Sequence, residues 1–230
     1  MCCGRRAPHR STSSSAVGRH WSQVQTRFGQ GSTRSARMRS LRHVKRGGSY
    51  LRALGPKKKW SGSPDDTAYS KISGGRWNPP GEFGVLYLSG SADVAYANGR
   101  EILNGLLAPA ATVDDLLDPE SLFEVQEFLV DESEFVDAVT KNGRAELALP
   151  ARCGKGKRYA LTRAIGRAAY KGGENGIASI SAVQRDGEEL AIFDSCASKI
   201  AHMRGARRTL RQWRAGRVGV KKKSSKKSSS

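Results

Sequence analysis

The chain has 230 residues, enough to bury a core without disulfides or metals, and carries a formal net charge of +19 at pH 7. That charge is uneven: residues 1–59 hold fifteen Lys/Arg and no acid, residues 60–200 fourteen against all twenty-one acids, and residues 201–230 eleven and no acid. An acidic domain between two cationic arms is the organisation this implies. The four cysteines (Cys2, Cys3, Cys153, Cys196) have no metal-ligand spacing, which argues against a metal centre and for reduced thiols in a cytoplasmic protein. No apolar run is long enough to span a bilayer, and the N-terminus lacks the apolar core of a secretory signal. Its Arg/Ser-rich beginning shares composition with organellar transit peptides but shows no amphipathic helix, so the cytoplasm ranks first.

Residues 1–48 are dense in Arg, Ser, Gly and Thr and are expected to be a disordered basic arm, unless translation starts at Met38. Ser49 to Leu54 alternates as a strand, with Arg52 opposite Leu51, and a turn-rich connection runs from Gly55 to Asp66. The densest segment follows: Gly74-Gly75-Arg76-Trp77-Asn78-Pro79-Pro80-Gly81, then the short buried strand Val85-Leu86-Tyr87-Leu88. The glycines permit close backbone approach or positive φ, and the prolines hold Asn78 extended. Arg76 offers a planar donor fork to a phosphate or carboxylate, while Trp77 can stack on a flat ring or simply pack.

Ser91 is an N-cap for a helix over Ala92–Leu107, in which Val94, Asn98, Ile102 and Leu106 recur at four-residue steps. Asn98 therefore shares the inward stripe, either as a satisfied core amide or as part of a polar site. Phe123–Val130 reads as a strand, Phe135–Val139 as a second short strand or buried segment, Gly143–Leu149 as a short helix and Arg158–Tyr170 as a longer one. Gly176–Val183 and Glu189–Phe193 are strands joined by the hairpin signal Arg185-Asp186-Gly187. A basic helix over Ile200–Ala215 leads into a Lys/Ser-rich tail, expected to be disordered over 218–230. The whole is a mixed α+β domain over 49–196, followed by a basic helix over 197–217, without the βαβ alternation of a parallel sheet.

All four histidines lie in or beside the arms, and phosphate-loop, dinucleotide and nucleophile-elbow motifs are absent. What remains is a set of donors, Arg52, Arg76, Tyr87, Asn98 and Ser181, that suits a ligand with a pyrophosphate and riboses. Each has a plain structural alternative: a strand arginine, a core tyrosine, a bland strand serine. The cationic arms suit nonspecific, salt-sensitive binding to nucleic acid.

The loop GGRWNPPG, the strand VLYLS and the alanine-rich helix after them resemble the RES domain family over about Tyr50–Asp194. The resemblance implies an ADP-ribosyltransferase-like fold, activity on NAD, and the toxin role of a toxin–antitoxin pair, with a helix-turn-helix antitoxin as partner. It assigns the family's arginines to Arg52 and Arg76 and its serine to Ser181, with Ser179 as fallback. It implies Arg52, Asn98 and Ser181 as catalytic positions and Arg76, Trp77 and Tyr87 as NAD contacts. The family's glutamate falls on Asn98, a departure that leaves either Glu101, one turn later, as a substitute or a weakened, even inactive, site. A catalytically dead binding module, and a nucleic-acid-associated protein working through its arms, are the alternatives.

Overall fold

The computed structural model describes residues 41–56, 62–107, 113, 116–150 and 159–224, with side chains to Arg217. The arm over residues 1–40 and the tail over 225–230, which the sequence reads as disordered, lie outside the described residues.

The strands are β1 (His43–Leu54), β2 (Val85–Ser89), β3 (Glu124–Ala138), β4 (Gly176–Ile180), β5 (Glu188–Phe193) and β6 (Ala201–Thr209). The helices are α1 (Ala68–Ser73), α2 (Ala92–Asn104), α3 (Lys141–Glu146), α4 (Tyr159–Lys171), α5 (Asp194–Ile200) and α6 (Leu210–Ser224). The sheet order is β1-β2-β5-β4-β3-β6, and β1 also pairs with β3 along nearly its whole length. The sheet thus curls until β1 meets both β2 and β3, and β6 extends it on β3. An α+β mixed sheet with packed helices is the class the residue pattern implies.

Side-chain alternation sorts the strands into two apolar clusters. Leu86, Leu88, Leu190 and Ile192 join Tyr50, Phe128 and Phe135 in one. Val85, Tyr87, Ala191 and Phe193 join Trp77, Phe83, Ile165 and Ala169 of α4 in the other. A third cluster seats α2 and α6, through Ala95, Leu103 and Leu210, on Leu51, Phe123 and Val125.

Four local readings need correction. β1 begins at His43, inside the segment read as arm, because Arg46 pairs with Glu188 and His43 with Glu174 while the backbone pairs with β3. The segments read as strands over Phe123–Val130 and Phe135–Val139 merge into the single strand β3, without Phe123 and Val139 at its ends; the acidic residues between them are mostly exposed, and pairing with β1 carries the strand through. β4 runs parallel to β3, with α3 and α4 in the crossover. The basic segment read as one helix over Ile200–Ala215 begins instead as β6, since Ala201–Thr209 satisfies the free edge of β3, and turns helical only at Leu210. Its helix continues to Ser224, into the segment read as tail.

Candidate functional site

The signature loop between α1 and β2 is held by a chain of buried polar contacts. Asn78 is fully buried and donates Nδ2 to the carbonyls of Ser70 (2.6 Å) and Phe83 (3.1 Å). The Tyr87 hydroxyl donates to Asn78 Oδ1 (2.8 Å) and accepts from the Trp77 backbone N–H (3.0 Å). Burial holds that phenol well above the usual tyrosine range, so it stays protonated and can perform both tasks. Gly74 takes the positive φ of 69° that the loop requires, and a Cβ at Gly75 would stand 2.4 Å from the Tyr87 hydroxyl.

The loop delivers Arg76 to the rim of a cavity of about 720 Å³, within the range of small-ligand sites. Arg52, Arg76, Tyr87, Ser89, Asn98 and Glu189 are among its lining residues. Arg52 is buried and donates Nη1 to the Pro64 carbonyl (2.5 Å) and Nη2 to that of Asp66 (2.9 Å). Burial lowers its pKa to about 10, against the pull of Asp66 and Asp65, so it remains a cation at neutral pH. The Arg76 guanidinium lies 5.0 Å from the Trp77 ring centroid and donates Nη1 to the Ile180 carbonyl (2.8 Å). Its buried Nε has no hydrogen-bond partner among the described residues.

The sequence-derived residues separate into three groups. Arg52, Arg76, Asn98 and Tyr87 come together at the cavity, although the Tyr87 hydroxyl is spent on bracing the loop. Ser181 stands just behind its wall, donating Oγ to Glu189 Oε1 (2.9 Å), while its neighbours Ala182 and Val183 line it. Trp77 is a correction: at 1% exposed it does not line the cavity but packs in the core cluster with Ile165 and Ala169. A large apolar ring beneath β2 gains more from that cluster than from a wet cleft, and it supports Arg76 from below. The fallback Ser179 is fully buried, its hydroxyl without a partner among the described residues.

Asn98 is also displaced from the reading of its helix. The buried face of α2 is Val94, Ala95, Gly99 and Leu103, and Leu106 is exposed. The helix is rotated so that Asn98, Glu101 and Ile102 face the cavity.

The residue missed by sequence reasoning is Glu189. It sits in β5 opposite Ser89 of β2 and Ser179 of β4, with its side chain 14% exposed. Its Oε1 accepts from Asn98 Nδ2 (2.9 Å) and from Ser181 Oγ (2.9 Å), and its Oε2 lies 3.8 Å from Arg76 Nη1. Only the non-local pairing of β2 with β5 brings it there. The one local signal is that it follows the hairpin turn after Ser181.

A curled α+β sheet with a two-arginine cavity behind a GRWN loop defines the class. The sequence matches the RES domain family over residues 50–215, and the chain belongs to that family. Among solved structures it is similar to a chain of the M. tuberculosis MbcT–MbcA toxin–antitoxin complex. The TM-score is 0.58 at 17% sequence identity, over 75% of this chain and 90% of that one, which supports the shared fold. No curated protein sequence matches the chain.

Among the described residues, no helix is long and apolar enough to cross a membrane, and no cluster of His, Cys, Asp or Glu could hold a metal ion.

Proposed function

We propose that this RES domain binds NAD as substrate and breaks its nicotinamide–ribose bond, transferring the ADP-ribosyl group to water, phosphate or a protein. The observation that carries the reading is the presence of two arginines, Arg52 and Arg76, on the same cavity as a carboxylate. Guanidinium groups bind pyrophosphate oxygens through charge-assisted, bidentate contacts. In the cleavage the C1′–N bond breaks, its electron pair leaves with neutral nicotinamide, and positive charge develops on the ribose. That step needs a nearby negative charge more than a strong base. In hydrolysis, water then adds at C1′ and releases one proton.

The test is incubation of the purified chain with NAD, with nicotinamide and ADP-ribose separated by chromatography. Nicotinamide release that Arg76→Ala lowers at least tenfold supports the reading; the absence of both release and NAD binding overturns it. Phosphate in place of buffer distinguishes hydrolysis from phosphorolysis.

A second reading, a binding module without turnover, is favoured by Asn98 standing where the resemblance puts the family's acid. It predicts NAD binding by calorimetry with no nicotinamide released. By analogy with the toxin–antitoxin complex, the domain would act in the cytoplasm as a toxin restrained by an antitoxin of helix-turn-helix type. Contact of the cationic arms with nucleic acid would be tested by its salt dependence.

A further inference from the structure

The resemblance leaves the site without an acid at Asn98, and the structure places one beside it from another element. We propose that Glu189 of β5 is the catalytic carboxylate of this site, and that Asn98 of α2, where the acid is expected, positions it. The inference rests on the NAD reading above.

Four observations carry it. Glu189 lines the cavity with Arg52 and Arg76. Its carboxylate is oriented by two hydrogen bonds to one oxygen, from Asn98 and Ser181, each at 2.9 Å. Oε2, the other oxygen, lies within ion-pair distance of Arg76 Nη1 (3.8 Å), which sets the carboxylate beside the guanidinium that would hold the pyrophosphate. The Ser181 hydroxyl is itself fixed, since the backbone N–H groups of Val183 and Gln184 donate to Ser181 Oγ (3.2 and 3.1 Å).

The chemistry follows from this polarity. An asparagine has no charge to offer a cationic ribose, but its amide is a donor and so requires an acceptor. Glu189 is that acceptor, and the Asn98–Glu189 pair keeps one negative charge in the cleft. As C1′ separates from the nicotinamide nitrogen, Glu189 Oε2 stabilises the developing positive charge or accepts a hydrogen bond from a ribose hydroxyl, and water completes the transfer. Glu101 is the competing acid. It too lines the cavity, but it is exposed on α2.

The experiment uses the full chain and measures NAD binding and nicotinamide release side by side, with thermal melting of each variant. Glu189→Gln keeps the acceptor for Asn98 and Ser181 while removing the charge, so the fold should persist. The expected result is a fall in kcat on the order of 10²–10⁴, the scale of a positioned catalytic group, with NAD binding changed by less than about threefold. The exchange Asn98→Glu with Glu189→Asn restores the pair with its charge on α2 instead of β5, and should recover at least tenfold over Glu189→Gln. Turnover retained in Glu189→Gln, or lost in Glu101→Gln instead, overturns the assignment and leaves the NAD reading standing. Wild-type protein that neither binds nor cleaves NAD removes both.

Discussion

Asn98 and Glu189 meet in the lining of the cavity, Nδ2 to Oε1 at 2.9 Å, from a helix and a strand ninety-one residues apart in the chain. The contact joins two parts of the core. α2 is seated by Ala95 and Leu103 on Leu51 and Phe123, and β5 is paired between β2 and β4. Their relative position is therefore set by apolar packing, and the polar pair reads it out. Ser89 Oγ accepts from the same Asn98 amide at 3.2 Å, which ties the pair to β2 as well.

The loop beneath Arg76 should be sensitive to the loss of one oxygen. Tyr87→Phe removes the partner of the Trp77 N–H and of Asn78 Oδ1 together. Unpaired buried groups cost about 1–3 kcal/mol, and a domain of this size loses roughly 2–4 °C of Tm per kcal/mol. With two groups left unpaired, a fall in Tm of roughly 4–24 °C is the expected outcome in calorimetry and, on the NAD reading, weaker NAD binding because Arg76 loses its footing.

Gly166 of α4 tests the other side of the same loop. A Cβ there would stand 1.7 Å from the Trp77 carbonyl oxygen, backbone that cannot swing aside. Gly166→Ala should cost roughly 1–3 kcal/mol or more by overpacking, although alanine favours a helix. A variant at least as stable as wild type would show that α4 does not rest on the loop.

Much of this was legible in the chain. The GRWNPPG loop, Val85–Leu88, the capped helix after Ser91 and the Arg185–Gly187 hairpin are local signals, and the structure carries each as a loop, strand, helix or turn. What escaped was decided at a distance. β6 is strand because β3 offers an edge, and its basic residues find acids: Arg207 meets Glu124, and beyond the strand Arg217 meets Glu127 at 2.6 Å. Glu189 escaped for the same reason, since its neighbours come from β2, β4 and α2. Trp77 takes the packing alternative of its two readings: its ring is buried, while Gly74, Gly75 and Arg76 of the same loop line the cavity.

Acid should weaken the fold through Asp137, which caps the turn into α3. Burial pushes its carboxyl up, but hydrogen bonds from the Thr140 hydroxyl and from the backbone N–H groups of Thr140 and Val139 outweigh that, with help from Arg42. Its folded pKa is thus lower than its unfolded value of about 3.9. Such a group stabilises fully above the unfolded value and loses that contribution as pH falls through the folded one. In denaturant titrations from about pH 6 to about pH 2, wild type should lose its advantage over Asp137→Asn only below about pH 4. An advantage that stayed constant over that range would remove Asp137 from the account.

The C-terminal boundary gives the last prediction. The sequence suggests a domain closing near residue 196, with a separable basic helix beyond it. In the structure β6 covers the edge of β3, Leu210 is wholly buried, and Trp213 packs on the same cluster as Leu51 and Phe123. Deleting everything after Ile200 would uncover that edge and open the cluster beneath α2, the helix that carries Asn98. Burial of one such leucine is worth about 1.5–3 kcal/mol, and six paired strand residues add their hydrogen bonds. Stabilities of whole domains are only about 5–15 kcal/mol, so this loss is decisive. A fragment of residues 41–200 should therefore lack a cooperative melting transition, whereas residues 41–224 should keep it. Removing residues 1–40 alone should leave Tm within about 2 °C, under the effect of 1 kcal/mol at this size. A cooperative melt from the 41–200 fragment would make β6 and α6 an appendage, as their composition suggests.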